Sequence, residues 1–153
     1  MGVLRKLLKC LVFSVLATEA AATEQSTLSI LDRYRGICKD DYNSELTVLE
    51  NAVYNLLVGR DSIETVVVVD TSSLKCGHRS IGLCGSAGCE VNLLVDGKVY
   101  IERAGSPVNI QFNDSHLILM PLSGGRCGDV PNGSPCFKVL AWDEHERKLL
   151  SPK

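Results

Sequence analysis

The 153-residue chain lacks an apolar run that could span a bilayer: the stretch near its start, Leu11 to Leu16, is far below the roughly 18 to 20 residues a membrane helix needs. A retained membrane span is therefore not expected. No cluster of Lys and Arg occurs, and the formal charge is −2. A mildly acidic chain repels phosphate backbones and anionic lipid surfaces, so nucleic acid is not an expected partner. No internal repeat and no linker composition interrupt the chain, which points to one domain. Histidine is scarce as well. His78, His116 and His145 are the only imidazoles, and neither a pair of them nor one of them with a neighbouring Ser and carboxylate is placed so as to single out a catalytic set. No catalytic set is assigned on that basis.

What is present begins with an export signal. Arg5, Lys6 and Lys9 form a positive head, Leu11 to Leu16 a short apolar core, and Ala20 and Ala22 the small residues a signal peptidase requires. The expected mature start is Thr23, leaving residues 1–22 as a signal peptide and residues 23–153 as one domain. Cleavage removes three cations and Glu19, so the formal charge moves from −2 to −4. About 130 residues then remain for a modest core.

Cysteine is the strongest signal in the mature chain. Cys38, Cys76, Cys84, Cys89, Cys127 and Cys136 remain once Cys10 leaves with the signal. An even count behind an export signal implies an oxidising compartment and a disulfide framework, with fifteen connectivities open in principle. Local spacing favours Cys84–Cys89 and Cys127–Cys136, which leaves Cys38–Cys76 as the long staple.

Patterning along the domain is mainly β. Leu28, Leu31, Tyr34 and Cys38 are near helical spacing, which predicts a short helix from Ser26 to about Lys39 with Ser26 or Thr27 as its cap. Residues 45–58 fit helix and strand templates almost equally. Gly59 to Ser62 marks a turn, and Val66 to Val69 is a β-branched run apolar on both faces, hence a central strand. Residues through Cys89 are rich in Gly, Ser and Cys. Asp96-Gly97 between two β-prone runs predicts a hairpin. Val108 to Phe112 and Leu117 to Met120 flank a turn at Asn113-Asp114-Ser115. After a Gly/Pro-rich loop, Phe137 to Trp142 is a last strand, with a polar turn from Asp143 to Arg147. The expected architecture is a short N-terminal helix and a disulfide-stapled antiparallel sheet of five to seven strands, mainly β with α+β at the margin.

Several constellations hold residue types that can carry chemistry. Cys76, His78, Cys84 and Cys89 have the ligand types of a zinc site but not the paired knuckles, and exported thiols oxidise. Neither a metal nor a cofactor is expected. Cys84-Gly85-Ser86-Ala87-Gly88 lacks the glycine of a hydrolase elbow and the second cysteine of a papain-type run. Its glycines read as structural. Asn113-Asp114-Ser115 fits a glycosylation sequon, as does Asn132-Gly133-Ser134 ahead of Pro135. Trp142 reads as a core or rim residue with one face open to binding.

Three segments together carry a resemblance: Val66 to Cys76 (VVVVDTSSLKC), Leu83 to Val91 (LCGSAGCEV) and Ser123 to Leu149 (SGGRCGDVPNGSPCFKVLAWDEHERKL). In this order they resemble a group of uncharacterised small exported bacterial proteins, whose common features are a Cys-Gly-Ser-x-Gly-Cys segment and a Gly-x-Cys-Gly…Cys…Trp-Asp segment. The resemblance implies strand rather than helix for Val53 to Val58, and an exported β-rich fold. It implies no activity. Relatives of this kind place an acidic, calcium-binding-like turn before the Val-rich strand. Here only Asp61 and Glu64 offer carboxylates and Arg60 opposes them, so calcium is not expected.

The function expected is a non-catalytic binding module, periplasmic or secreted, that recognises a protein partner: an envelope protein, a hydrolase to be inhibited or a host factor. A rigid scaffold with Gly-rich loops suits recognition. The expected binding surface is His78, Arg79, Ser86, Arg126 and Trp142. The alternatives are a small hydrolase using His78 or His116 with Ser86 and an Asp, and a purely structural envelope component.

Overall fold

The computed structural model describes residues 23–61, 64–81, 83–128, 134 and 136–151. The signal-peptide reading over residues 1–22 and the sequon at Asn132 lie outside the described residues.

Helix α1 runs over residues 23–42, longer than its apolar spacing alone requires. The expected cap is corrected: residues 23–25 are already helical, and Thr27 Oγ1 donates to Thr23 O at 2.9 Å one turn back. Glu24 and Gln25 are good helix formers, so nothing there stops the helix. At its other end Asn43 takes a φ of 46°, a conformation that terminates helices.

The strands are β1 (Leu46–Val48), β2 (Val53–Arg60), β3 (Glu64–Asp70), β4 (Leu74–Cys76), β5 (Arg79–Ser80) and β6 (Cys89–Val95). They continue as β7 (Lys98–Ala104), β8 (Val108–Phe112), β9 (Ser115–Leu122), β10 (Cys136–Asp143) and β11 (Lys148–Leu150). The undecided segment at residues 45–58 is thus extended, broken by a single 3-10 turn at Glu50–Ala52. All pairings are antiparallel. A three-stranded sheet has the order β1-β4-β5, and an eight-stranded one the order β11-β10-β9-β2-β3-β6-β7 with β8 added on β9. Strands beyond the expected number are mostly two or three residues long, like β1, β4, β5 and β11, too short for alternation to reveal.

The Val-rich strand lies at the centre, as its two apolar faces demand. Val66 and Val68 join Leu56, Val91, Leu93 and Ile118 in one core, while Val69 joins Leu31, Tyr34, Leu74 and Leu94 in a second. The sheet β2-β3-β6-β7 is therefore a middle layer. On one side α1 and the small sheet cover it; on the other, β9, β10 and β11 close over it. At one margin the layers are continuous, since Gly59 and Arg60 of β2 pair with His116 and Ser115 of β9. At the other, Gly105 N donates to Pro121 O at 2.8 Å.

Three disulfides pin this arrangement: Cys38–Cys76, Cys84–Cys89 and Cys127–Cys136. The first ties α1 to β4 across 38 residues, the second folds the chain into β6, and the third joins the loop after β9 to the start of β10. Among the described residues no helix is long and apolar enough to cross a membrane.

Candidate interaction surface

Residues directly opposite each other in an antiparallel pair point to the same face. Across β8, β9 and β10 the register therefore sorts the side chains into two sets. Ile118, Met120 and Leu140 point inward and are buried. The other set points away from the molecule. Val108 lies opposite Leu119, which lies opposite Val139. Ile110 lies opposite Leu117, Pro121 opposite Phe137, and Ala141 opposite Leu150 of β11. Phe112 completes the set at the end of β8, opposite Ser115. Apart from that serine, every one of these outward side chains is apolar. Phe112 is 67% exposed, Phe137 53%, Val108 47% and Leu150 39%; the remainder are half-buried by one another.

In β8 this inverts the usual arrangement. Its alternation Val-Asn-Ile-Gln-Phe puts the apolar residues outward, and Asn109 and Gln111, themselves exposed, on the opposite face of the strand. The reason is visible at Asn109. Its Nδ2 donates to Leu57 O of β2 and to Leu117 O, and its Oδ1 accepts from His116 Nδ1 at 2.9 Å. The amide thus satisfies the backbone where β2 and β10 diverge along β9, a task no apolar side chain performs. Once Asn109 is fixed inward, the pleat sends Val108 and Ile110 out.

Where β2 and β10 part, an open groove of about 530 Å³ lies between Arg60, His116, Leu117 and the Trp142 to His145 stretch. Leu117, Ala141 and Leu150 belong both to this groove and to the apolar face. The first charged side chains on that face are Asp143 and Lys148, directly opposite each other in β10 and β11. Asp143 Oδ1 accepts from the backbone N–H groups of Glu146 and His145, both at 2.9 Å, and these bonds hold its carboxyl below the ordinary value. Arg60, opposite Ser115, stands at the β2 margin. The surface is thus an uncharged apolar centre with a rim of both signs, the anatomy of a protein interface.

The residues anticipated from sequence do not assemble into one surface. His78 and Arg79 are exposed at the turn between β4 and β5, on the side of α1. Ser86 is exposed within the Cys84–Cys89 loop. Arg126 is engaged already: its guanidinium donates to Arg103 O and reaches Glu102 Oε2 at 3.4 Å, and Lys138 pairs with the same carboxylate. These bonds close β7 against the opposite layer. Trp142 lies towards the far end of β10 from Cys136, half-buried against the core and lining the groove. Of the anticipated set, Trp142 alone borders the apolar face.

Cys76 is joined to Cys38 and Cys84 to Cys89, so no thiolate remains there for a metal. Among the described residues no hydrogen bond links Ser86 to His78 or His116. Asn113 and Ser115 lie at the exposed tip of the β8–β9 hairpin, where Asn113 has a φ of 52°.

Sequence reasoning missed the apolar face, although its signal was there. Leu117-Ile118-Leu119-Met120-Pro121-Leu122 is apolar on both strand faces, like Val66 to Val69, yet only one of its faces has a layer over it. Comparison of the chain with protein families, with curated proteins and with solved structures finds no match.

Proposed function

We propose that this chain is an exported, non-catalytic interaction module, periplasmic or secreted, that docks a protein through the outward face of β8, β9 and β10. The observation that carries the reading is that face itself: a contiguous apolar surface, free of charge at its centre, that runs across three strands, whereas other exposed apolar side chains such as Val99 and Ile101 stand on a single end strand. Exposed patches of this kind mark protein or membrane contacts. The mixed-sign rim at Arg60, Asp143 and Lys148, and the acidic balance of the chain, favour a protein over an anionic lipid surface. Three disulfides accord with an oxidising compartment and hold the face on a rigid frame.

The test is site-specific photo-crosslinking in cells that produce the protein. A photoreactive amino acid replaces Phe137 on the face, and Ile101 serves as the control, an equally exposed apolar position on β7 away from it. Discrete protein adducts from position 137, and none from position 101, are the expected result. No adduct at 137, or the same adducts from both positions, overturns the reading.

A further inference from the structure

We infer that the protein docked on this face is a second copy of the same chain, the two copies packing the β8–β9–β10 faces sheet against sheet about a twofold axis. The inference rests on the reading that this face is a protein-docking surface. Three features of the face select a like copy.

The first is charge. A twofold interface brings the same patch against itself, so any like charge at its centre meets its own image. Val108, Ile110, Leu117, Leu119, Val139 and Phe137 carry none. A surface built for a different partner normally places complementary charges where that partner needs them. Here the charges are confined to the rim, where Arg60 and Lys148 are matched by Asp143 and Glu144. A rim of both signs can meet its own copy without net repulsion.

The second is area. Four side chains exposed to between 39 and 67%, with their half-buried neighbours, present on the order of 600 Å² of apolar surface, at the upper end of what monomers leave open. With the rim this approaches the ~800 Å² per partner of a stable interface. Homodimer interfaces are also the more apolar class, resembling a domain core divided in two.

The third is shape. The face is three strands wide, with β9 along its middle, and its outward side chains stand in rows across the strands: Val108, Leu119 and Val139 in one, Ile110 and Leu117 in the next. Facing sheets interdigitate such rows at about 10 Å separation. Packing a second copy there gives β9 what β3 has within one chain, a layer on each face.

The experiment is sedimentation of the oxidised protein across a concentration series, with three proteins compared. The wild type is expected to sediment as a dimer at micromolar concentration. Replacing both exposed rings, Phe112→Ser with Phe137→Ser, leaves the buried core untouched and is expected to weaken association by about 100-fold. The control, Val99→Ser with Ile101→Ser on β7, is expected to dimerise like the wild type. A monomeric wild type at about 100 μM, or a dimer unaffected by the double Phe substitution, overturns the inference. A monomer that still gives discrete adducts to a different protein from position 137 leaves the docking reading intact with another partner. A monomer that gives no adducts removes both.

Discussion

At the scale of single residues, the junction of α1 with the sheet depends on one phenol. Tyr34 Oη donates to Glu90 Oε1 at 2.7 Å and accepts from Asn92 Nδ2 at 2.9 Å and Arg33 Nη2 at 2.6 Å. Tyr34 and Asn92 are buried. Tyr34→Phe therefore strands the Asn92 amide, and a loss of about 1–3 kcal/mol is expected in denaturant titration. Burial, reinforced by the bond to Glu90, pushes the Tyr34 phenol up to about 12. Up to pH 10 folded and unfolded chains both keep that proton; between 10 and 12 only the folded chain does. Stability consequently falls as pH rises through this window, and the fall should be shallower in Tyr34→Phe. Glu90 shows the opposite sign. Burial raises its carboxyl, but the hydrogen bonds from Tyr34 and Arg33 and the charges of Arg33 and Arg103 outweigh burial and hold it below its ordinary value. Its contribution is complete above the unfolded value and is lost as pH falls through the folded one. Acid titration of Glu90→Gln should show that part of the acid limb missing.

At the scale of elements, the Cys84–Cys89 loop depends on Gly88. Its φ is +96°, and a Cβ there would stand 2.6 Å from the backbone carbon and oxygen of Ala104. Both the strain and the collision are with backbone, so Gly88→Ala should cost about 3 kcal/mol, read as a lowered denaturation midpoint. The elements legible in sequence were those with chemistry of their own. Asp96-Gly97 turns β6 into β7 with φ of 50° and 67°, the backbone an Asp-Gly hairpin requires. Val66 to Val69 announced a central strand by having no polar face. Elements hidden in sequence were those fixed by distant contacts. β1 exists because Leu46 to Val48 find Leu74 to Cys76, and nothing within three residues encodes that. Likewise the inversion of β8 follows from Asn109 reaching Leu57 O, a bond 52 residues long in sequence. The β8 part of the apolar face was hidden for that reason: the usual rule sends Val108, Ile110 and Phe112 to the core.

At the scale of the whole molecule, the staples differ in what they hold. Cys38–Cys76 closes the longest loop and is the covalent tie between α1 and the β-layers. Replacing both cysteines with alanine should cost about 4 kcal/mol by chain entropy, with α1 loosening first; hydrogen exchange over residues 23–42 would register it. On the proposed export, intact-mass measurement should give a chain beginning at Thr23 that takes up no alkylating reagent until it is reduced. Alkylation of Cys76, Cys84 or Cys89 without reduction would contradict the stapled fold. Cysteine count and spacing made this level of organisation the most readable in the sequence, because a covalent bond leaves a residue type as its mark, whereas a surface leaves only a pattern shared with cores.

Each cysteine of the domain is bonded to the next one along the chain: Cys38 to Cys76, Cys84 to Cys89, Cys127 to Cys136. For a polypeptide threaded through a translocation pore amino end first, the sulfurs arrive in an order that is already the native pairing. An oxidase that joins each thiol to the first free neighbour makes no error here, and no shuffling enzyme is needed to undo one. Maturation should therefore depend on the oxidant of the compartment and be indifferent to the loss of its disulfide isomerase.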